Sequence, residues 1–319
     1  MVTQVVVRWV ENERLLVGSI SDIDAAKTSG GAVWIDLCQP DAESLEVVRR
    51  AFGLHALAIE DCMHYPQRVK IDLYPEAAFL VWVFLRPGDD AAFQAVEVDI
   101  FLGDRFLITS HRESVQVIDE VGSGAAEALS RGADWALHQL LDRGVDRIFP
   151  LVDGLSDRLD DVENTLLDDP EQTDLQRLYA IKRALVTLYR IVGGERDVLR
   201  SLSRREHYVS QDAYLYFQDV GDHLARVVDT IDTYRDVASG AMDIYLSAVN
   251  NRMNDVMKRL TVVATVFMPL TFISGMYGMN VTAGMWPPIT ERWSFWAVSG
   301  SMLLIVAGML TYFKRRRWW

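Results

Sequence analysis

The sequence predicts an α+β membrane protein: an N-terminal cytosolic α/β domain, a long helical stalk, and two C-terminal transmembrane helices. Three observations carry this. Strand-like segments rich in Val, Ile, Phe and Trp fill the first third, and none follows Asp134. From there on the apolar residues fall at helical spacing. Finally, Leu260 to Thr290 and Trp293 to Phe313 contain no Asp, Glu, Lys or Arg. Each of these runs supplies an apolar helix of roughly 20 residues, the length that a hydrocarbon core about 30 Å thick requires.

The expected division is a cytosolic α/β domain at 1–133 and a helical stalk at 134–259. A first span at 260–280, an external loop at 281–292, a second span at 293–313 and a basic cytosolic tail at 314–319 follow. In the α/β domain, Val2 to Val10, Ala32 to Cys38, Val69 to Phe84 and Val96 to Ser110 show the partial alternation of half-buried strands. Asp41 to Phe52 and His55 to Met63 have helical spacing, the first opening on an Asp cap. Asp134 to Leu167 reads as one helix. Asp169-Pro170-Glu171 then supplies a cap with Pro at the first helical position of a second, reaching about Ser203. A third begins near Ser210 and meets no Pro until Pro269. About 65 residues at 1.5 Å each make it about 100 Å long, an element that needs bundling with copies of itself.

Lys258 and Arg259 precede the first span, Lys314 to Arg317 follow the second, and Arg292 is the only base between them. Both termini are therefore expected on the cytosolic side of a plasma (inner) membrane crossed twice. Trp286, Trp293 and Trp296 fall at the outer interface, Trp318 and Trp319 at the inner one. Met1 to Val10 reads as a strand rather than a signal peptide.

A net charge of −13 argues against nucleic acid, whose binding needs a basic surface. It suits a protein that gathers cations. Seven acids and no base fall between Leu159 and Asp174, a run that also reads as a solvated hairpin tip. Cys38 and Cys62 have no metal-ligand spacing and suit a reducing compartment. The six His residues are scattered, with no pair four apart, and no Walker-type glycine loop is present. No enzyme and no organic cofactor are expected.

Steps of four and three along the third helix give Asp243, Ser247, Asn250, Asn254, Met257, Thr261, Ala264, Met268, Thr271, Gly275 and Gly278. None is Leu, aromatic or a β-branched aliphatic, whereas the flanks are Val262, Val263, Val266, Phe267, Leu270, Phe272 and Ile273. A period of 3.5 keeps such a face toward the axis of a parallel bundle of identical helices. Two readings stand: polar groups lining water, or small residues allowing tight packing. Asp243 and Asn254 on the same face favour the first, because tight packing has no use for a carboxylate ring. Carbonyls, amides and hydroxyls suit an ion that keeps its water, and Mg2+ surrenders water reluctantly. Inward movement of a dication gains about 4.6 kcal/mol per 100 mV, so no ATP site is needed.

The chain resembles the CorA family of divalent-cation (magnesium/cobalt) transport proteins. The likeness rests on Tyr277-Gly278-Met279-Asn280 between two C-terminal spans, on Phe267-Met268-Pro269-Leu270-Thr271-Phe272-Ile273, and on Asn254-Asp255-Val256-Met257-Lys258. In the cytosolic part it rests on His55 to Asp61, Gln67-Arg68-Val69-Lys70 and Tyr216-Phe217-Gln218-Asp219, so it covers nearly the whole chain. The resemblance implies a funnel-shaped homopentamer in the lipid bilayer that imports Mg2+, with Co2+ or Ni2+ as further cargo. It implies a selectivity filter of Gly278, Met279 and Asn280. The pore would be lined by Asp243, Asn250, Asn254, Met257, Leu260, Thr261, Met268, Thr271 and Gly275, with hydrophobic constrictions at Met257, Leu260 and Met268. It also implies regulatory Mg2+ between subunits on Asp61 and Asp219, with Glu60 nearby, holding a closed state. Read without the resemblance, Asp61 and Asp219 are ordinary surface carboxylates with basic partners.

One departure bears on the ion. The family's magnesium members commonly carry an acidic, proline-containing external loop, whereas here Glu291 is the only acid between Val281 and Arg292, and Arg292 adjoins it. A proton-coupled zinc transporter of the same architecture, as in the family's ZntB branch, is therefore the alternative. A membrane-anchored interaction protein with a sealed axis is the reading from another class.

Overall fold

The computed structural model describes residues 3–88, 92–168, 171–205, 207–279, 286–288, 291–316 and 318. It divides into two compact units, Met1–Thr165 with Glu171–Met242, and Leu166–Pro170 with Asp243–Trp319.

The first unit is built on a seven-stranded sheet in the order β2-β1-β3-β7-β6-β5-β4. Its strands are β1 (Gln4–Glu11), β2 (Arg14–Gly18), β3 (Val33–Cys38), β4 (Lys70–Leu73), β5 (Ala78–Arg86), β6 (Gln94–Gly103) and β7 (Phe106–His111). Only β3 and β7 pair in parallel. The other neighbours are antiparallel. Two predicted strands are in fact hairpins. Val69 to Phe84 divides at Tyr74-Pro75-Glu76, where the Tyr74 N–H donates to the Ala77 carbonyl at 3.0 Å. Val96 to Ser110 divides at Asp104-Arg105, with Gly103 opposite Phe106. The Phe106 ring packs over that glycine: a Cβ there would lie 2.2 Å from the ring, which would have to move. The β1–β2 turn places Asn12 and Glu13 at positive φ, a geometry Asn tolerates and that no Gly announces.

Helices α1 (Ile23–Thr28), α2 (Ala42–Phe52) and α3 (Ala56–Met63) pack a core of Val7, Val33, Ile35, Leu45, Ala58, Phe79 and Phe101. Asp41 caps α2 as expected, accepting from the Ser44 N–H at 2.8 Å. His55 caps α3, its Nδ1 accepting from the Leu57 N–H at 3.3 Å, and it stacks on Tyr74. Then come α4 (Gln116–Ser123), α5 (Ala126–Arg131), α6 (Ala133–Asp146), α7 (Ile148–Asp168), α8 (Gln172–Ser203), α9 (Gln211–Tyr277) and α10 (Arg292–Arg315). The single helix expected from Asp134 to Leu167 breaks at Arg147. Pro150 then sits in the first turn of α7, where a missing N–H costs nothing. The cap expected on Asp169 and Pro170 lies outside the described residues. Glu171 stands at the N-cap, its N–H donating to Asp174 Oδ2 at 3.0 Å.

On the sheet face carrying Trp34, a polar set is buried. Thr109 donates its hydroxyl to Asp36 Oδ1 at 2.5 Å, Trp34 Nε1 donates to Thr109 at 3.1 Å, and His111 Nε2 lies 3.1 Å from Asp36 Oδ1. The other ring nitrogen, His111 Nδ1, faces the Glu113 carbonyl at 2.6 Å, so both nitrogens face acceptors, as an imidazolium requires. Burial opposes that charge, but the hydrogen bond and charge of Asp36 overcome it, and the His111 pKa is raised. Asp36→Ala is expected to cost about 3 kcal/mol, because it strands a buried cation. The His111 share of that stability is complete below its unfolded value, about pH 6.5, and is lost as pH rises through the raised folded value. Urea unfolding of wild type and variant across this range, followed by Trp fluorescence, checks both statements.

Candidate functional site

Helix α9 runs unbroken for 67 residues with Pro269 inside it. Pro269 donates no N–H, which leaves the Thr265 carbonyl without its helical partner. The 18-residue apolar windows of α9 and α10 are each only 6% buried, although both helices are long and apolar enough to cross a membrane. Most of that surface therefore needs lipid or further chains as its partner.

Asp243, Ser247, Asn250, Asn254, Met257, Leu260, Thr261, Ala264, Met268, Thr271, Gly275, Gly278 and Met279 are all exposed in the single chain. Exposure alone does not mark the stripe, since Phe272 on its flank is as open as Met268 (70% and 71%). Shape says more. Asn254, Met257 and Thr261 share a cavity of about 480 Å³ with Asn251, Lys258 and Trp318. Leu260, Thr261, Ala264 and Met268 share one of about 670 Å³ with Pro269, Phe272 and Met309. The hydroxyls of Thr261 and Thr271 donate to the carbonyls of Met257 (2.7 Å) and Phe267 (2.9 Å), which leaves their oxygens free to accept from water. A Cβ at Gly275 would meet nothing within 4 Å, so its own chain does not require a glycine there. The helix closes with the Gly278 N–H on the Ser274 carbonyl at 2.9 Å. The Tyr277 hydroxyl donates to the Trp286 carbonyl at 3.1 Å. Asn280, the third filter residue, lies outside the described residues.

Of the expected regulatory residues, Asp61 is half-buried and paired with Lys70 Nζ at 2.6 Å, and Lys70 also reaches Asp72 at 3.1 Å. Desolvation works against the Lys70 charge, but these two carboxylates outweigh it and raise its pKa. Glu60 is exposed, its carbonyl taken by His64 Nδ1 at 2.8 Å. Asp219 has an open side chain, 69% exposed, with His223 Nε2 at 3.9 Å.

The structure adds residues that the sequence reading missed. Asp142 and Asp146 on α6 and His223 on α9 bring ligand atoms within 4.8 Å of one another, the group of this kind among the described residues. His223 Nδ1 is shielded from solvent and has no hydrogen-bond partner among those residues. Burial, then the charge of Asp146, pushes the Asp142 carboxyl above its usual range. These are residues a dication would relieve: oxygen donors suit Mg2+, and the imidazole adds affinity for Co2+, Ni2+ or Zn2+. The signal was available as two i,i+4 pairs, Asp142 with Asp146 and Asp219 with His223, which a search for paired His passes over.

A family model for the CorA-like Mg2+ transporter protein matches residues 29–315. The chain belongs to the CorA family. It is 33% identical over 301 residues to the cobalt/magnesium transport protein CorA of Thermotoga maritima, covering 92% of this chain and 85% of that one. It is 32% identical over 289 residues to the putative metal ion transporter YfjQ of Bacillus subtilis, covering 89% of each. The full-length CorA magnesium transporter structure from Methanocaldococcus jannaschii has the same fold, at a TM-score of 0.85 with 21% identity over the whole of both chains. Membership in CorA makes the chain a divalent-cation transport protein of the membrane and no enzyme.

Proposed function

We propose that this CorA chain is the subunit of a pore that imports hydrated Mg2+, with Co2+ or Ni2+ as further cargo, down the membrane potential. The observation that carries the reading is the uncovered stripe at heptad spacing from Asp243 to Gly278, whose positions are polar, small or Met, with no Leu, aromatic or β-branched aliphatic residue among them. The relatives named for cobalt and magnesium transport support the choice of ion. Copies of the chain, five by family analogy, would turn this face to a common axis with Gly278, Met279 and Asn280 as the filter. Met257, Leu260 and Met268 would form constrictions that close by dewetting. The α/β domain of 1–133, the stalk of 134–259 and both termini would lie in the cytosol, with spans at 260–280 and 293–313 in the inner membrane.

Cytosolic Mg2+ would regulate the pore through carboxylates that repel one another until a cation bridges them. Asp61, Asp219 and Glu60 would act across subunits, and the cluster of Asp142, Asp146 and His223 beside Asp219 extends that acidic region. A second reading, proton-coupled zinc transport, draws on the weakly acidic loop with its lone Glu291. Liposomes loaded with a magnesium-sensitive dye and held inside-negative test both. Mg2+ entry by wild type that Asn280→Ala abolishes is the expected result. Zinc entry with no Mg2+ entry would transfer the protein to the second reading, and an inert wild type would argue for a sealed axis.

A further inference from the structure

Strand β6 breaks its own pattern. Its inward positions should be apolar, as Phe101 is, yet the two preceding positions on that face are Glu97 and Asp99, 7% and 6% exposed. Paired carboxylates inside a sheet are expensive, and such departures from local consistency gather where a protein uses the group. Asp99 Oδ1 has no hydrogen-bond partner among the described residues. The titratable groups that act on Asp99 are Glu97 on its own strand, Cys62 and Asp61 on α3, and Lys70 on β4, with Cys62 hydrogen-bonded to it. The neighbours of Asp99 across the sheet, Val81 and Ser110, carry no charge. Glu97, by contrast, shares a cavity with Tyr65, Arg68 and, on α8, Arg190, and it pairs with Val83, whose N–H donates to the buried Glu195.

A chain of hydrogen bonds joins this pair to Asp61. The Gln67 backbone N–H donates to Glu97 Oε2 at 2.6 Å, Gln67 Nε2 donates to the Asp61 carbonyl at 2.6 Å, and Lys70 Nζ holds Asp61 Oδ2 at 2.6 Å. The loop after α3 thus hangs from Glu97 at one end and fixes Asp61 at the other. Charge on the pair is felt at Asp61 in two ways, directly through a low-dielectric interior and through the grip of Glu97 on Gln67.

We propose that Glu97 and Asp99 form a buried proton-binding pair that couples cytosolic pH to cation binding at Asp61, releasing a proton when a divalent cation binds and weakening cation binding when the pair is protonated. This rests on the regulatory role assigned to Asp61 above. The coupling is reciprocal by thermodynamic necessity: a cation at Asp61 favours an ionised pair, and an ionised pair favours the cation. Burial first, and then the charge of Glu97, holds Asp99 up to about 7, so the pair changes charge in the cytosolic range. Burial likewise pushes Glu97 up, against the pull of the Gln67 N–H and Arg112. The sign is fixed: falling pH neutralises Asp99, lowers cation affinity and opens the pore at a given Mg2+ concentration.

The experiment uses the full chain in nanodiscs. Mg2+ is titrated against thermal unfolding on the acid and alkaline sides of pH 7, and proton release on Mg2+ addition is read with a pH dye in weak buffer. In wild type the Mg2+ midpoint should rise about fivefold or more on the acid side, the lower end of ordinary coupling between sites. Proton release should accompany binding near pH 7. Asp99→Asn, nearly isosteric, and separately Glu97→Gln should flatten the pH dependence and reduce the release. A wild-type midpoint that is equal on both sides of pH 7 overturns the proton coupling while leaving cation regulation intact. No Mg2+ response at any pH overturns both.

Discussion

Thr271→Lys is expected to abolish dication entry, lowering flux by more than about a thousandfold while the protein still assembles. A Lys ammonium about 5 Å from a dication raises its energy by about 1.7 kcal/mol even at the dielectric constant of water. A ring of about five copies multiplies that several times, and each 1.4 kcal/mol is a factor of ten. The position is chosen because Thr271 lies on the small and polar face, one turn from Met268 and Gly275, with its hydroxyl already donated to the Phe267 carbonyl. Thr271→Val is the companion: it keeps the volume, removes the oxygen, and should reduce flux far less. Both are read by dye-loaded liposomes, with size-exclusion chromatography reporting assembly. A Thr271→Lys protein that conducts like wild type would mean that this face does not line the path. One that fails to insert would indicate a lipid-facing residue, since a Lys at mid-membrane costs about 2.5–3.5 kcal/mol.

The membrane end of this chain was legible because its signals are strong and local. An uncharged run can be counted, and a stripe at heptad spacing needs no partner to be seen. The α/β unit was legible in outline and wrong at its turns. Asp104-Arg105 links β6 to β7 in two residues, and the flanking Val, Ile and Phe carried the strand reading straight through it. Gly103 gave the warning, and the collision its Cβ would make with Phe106 gives the reason. The Asn12-Glu13 turn offered less, because Asn takes positive φ without glycine beside it. The break at Arg147 was missed because Pro150 can end one helix or sit in the first turn of the next, and sequence spacing does not decide which.

Site residues divide along the same line. Asp61 and Asp219 were named through resemblance to a family, and the pairing of Asp61 with Lys70 shows why their residue types alone do not reveal a role. Asp142 and Asp146 lie far from His223 in sequence, and only the packing of α6 against α9 makes a cluster of them. Glu97 and Asp99 were hidden inside a segment read as a strand. Charged residues at both of those inward positions were the overlooked irregularity, and burial pushes both carboxyls above their usual range, Asp99 to about 7.

Asp219→Asn combined with Asp142→Asn is expected to make the protein insensitive to Mg2+ and more stable than wild type without it. In wild type, Asp142, Asp146 and Asp219 gather about His223, and the Asp142 carboxyl is pushed up by burial and by Asp146. A dication bound there would relieve this crowding of carboxylates. A ligand at about 100 times its dissociation constant stabilises the state it binds by about 2.7 kcal/mol, which thermal unfolding resolves. The double variant loses that gain together with the crowding, so its Mg2+-free and Mg2+-loaded transitions should coincide, at or above the Mg2+-free transition of wild type. In liposomes its flux should no longer fall as internal Mg2+ rises. A variant that keeps the Mg2+ shift would place the regulatory cation elsewhere. One that is less stable than Mg2+-free wild type would show that these carboxylates support the α6–α9 packing rather than wait for a cation.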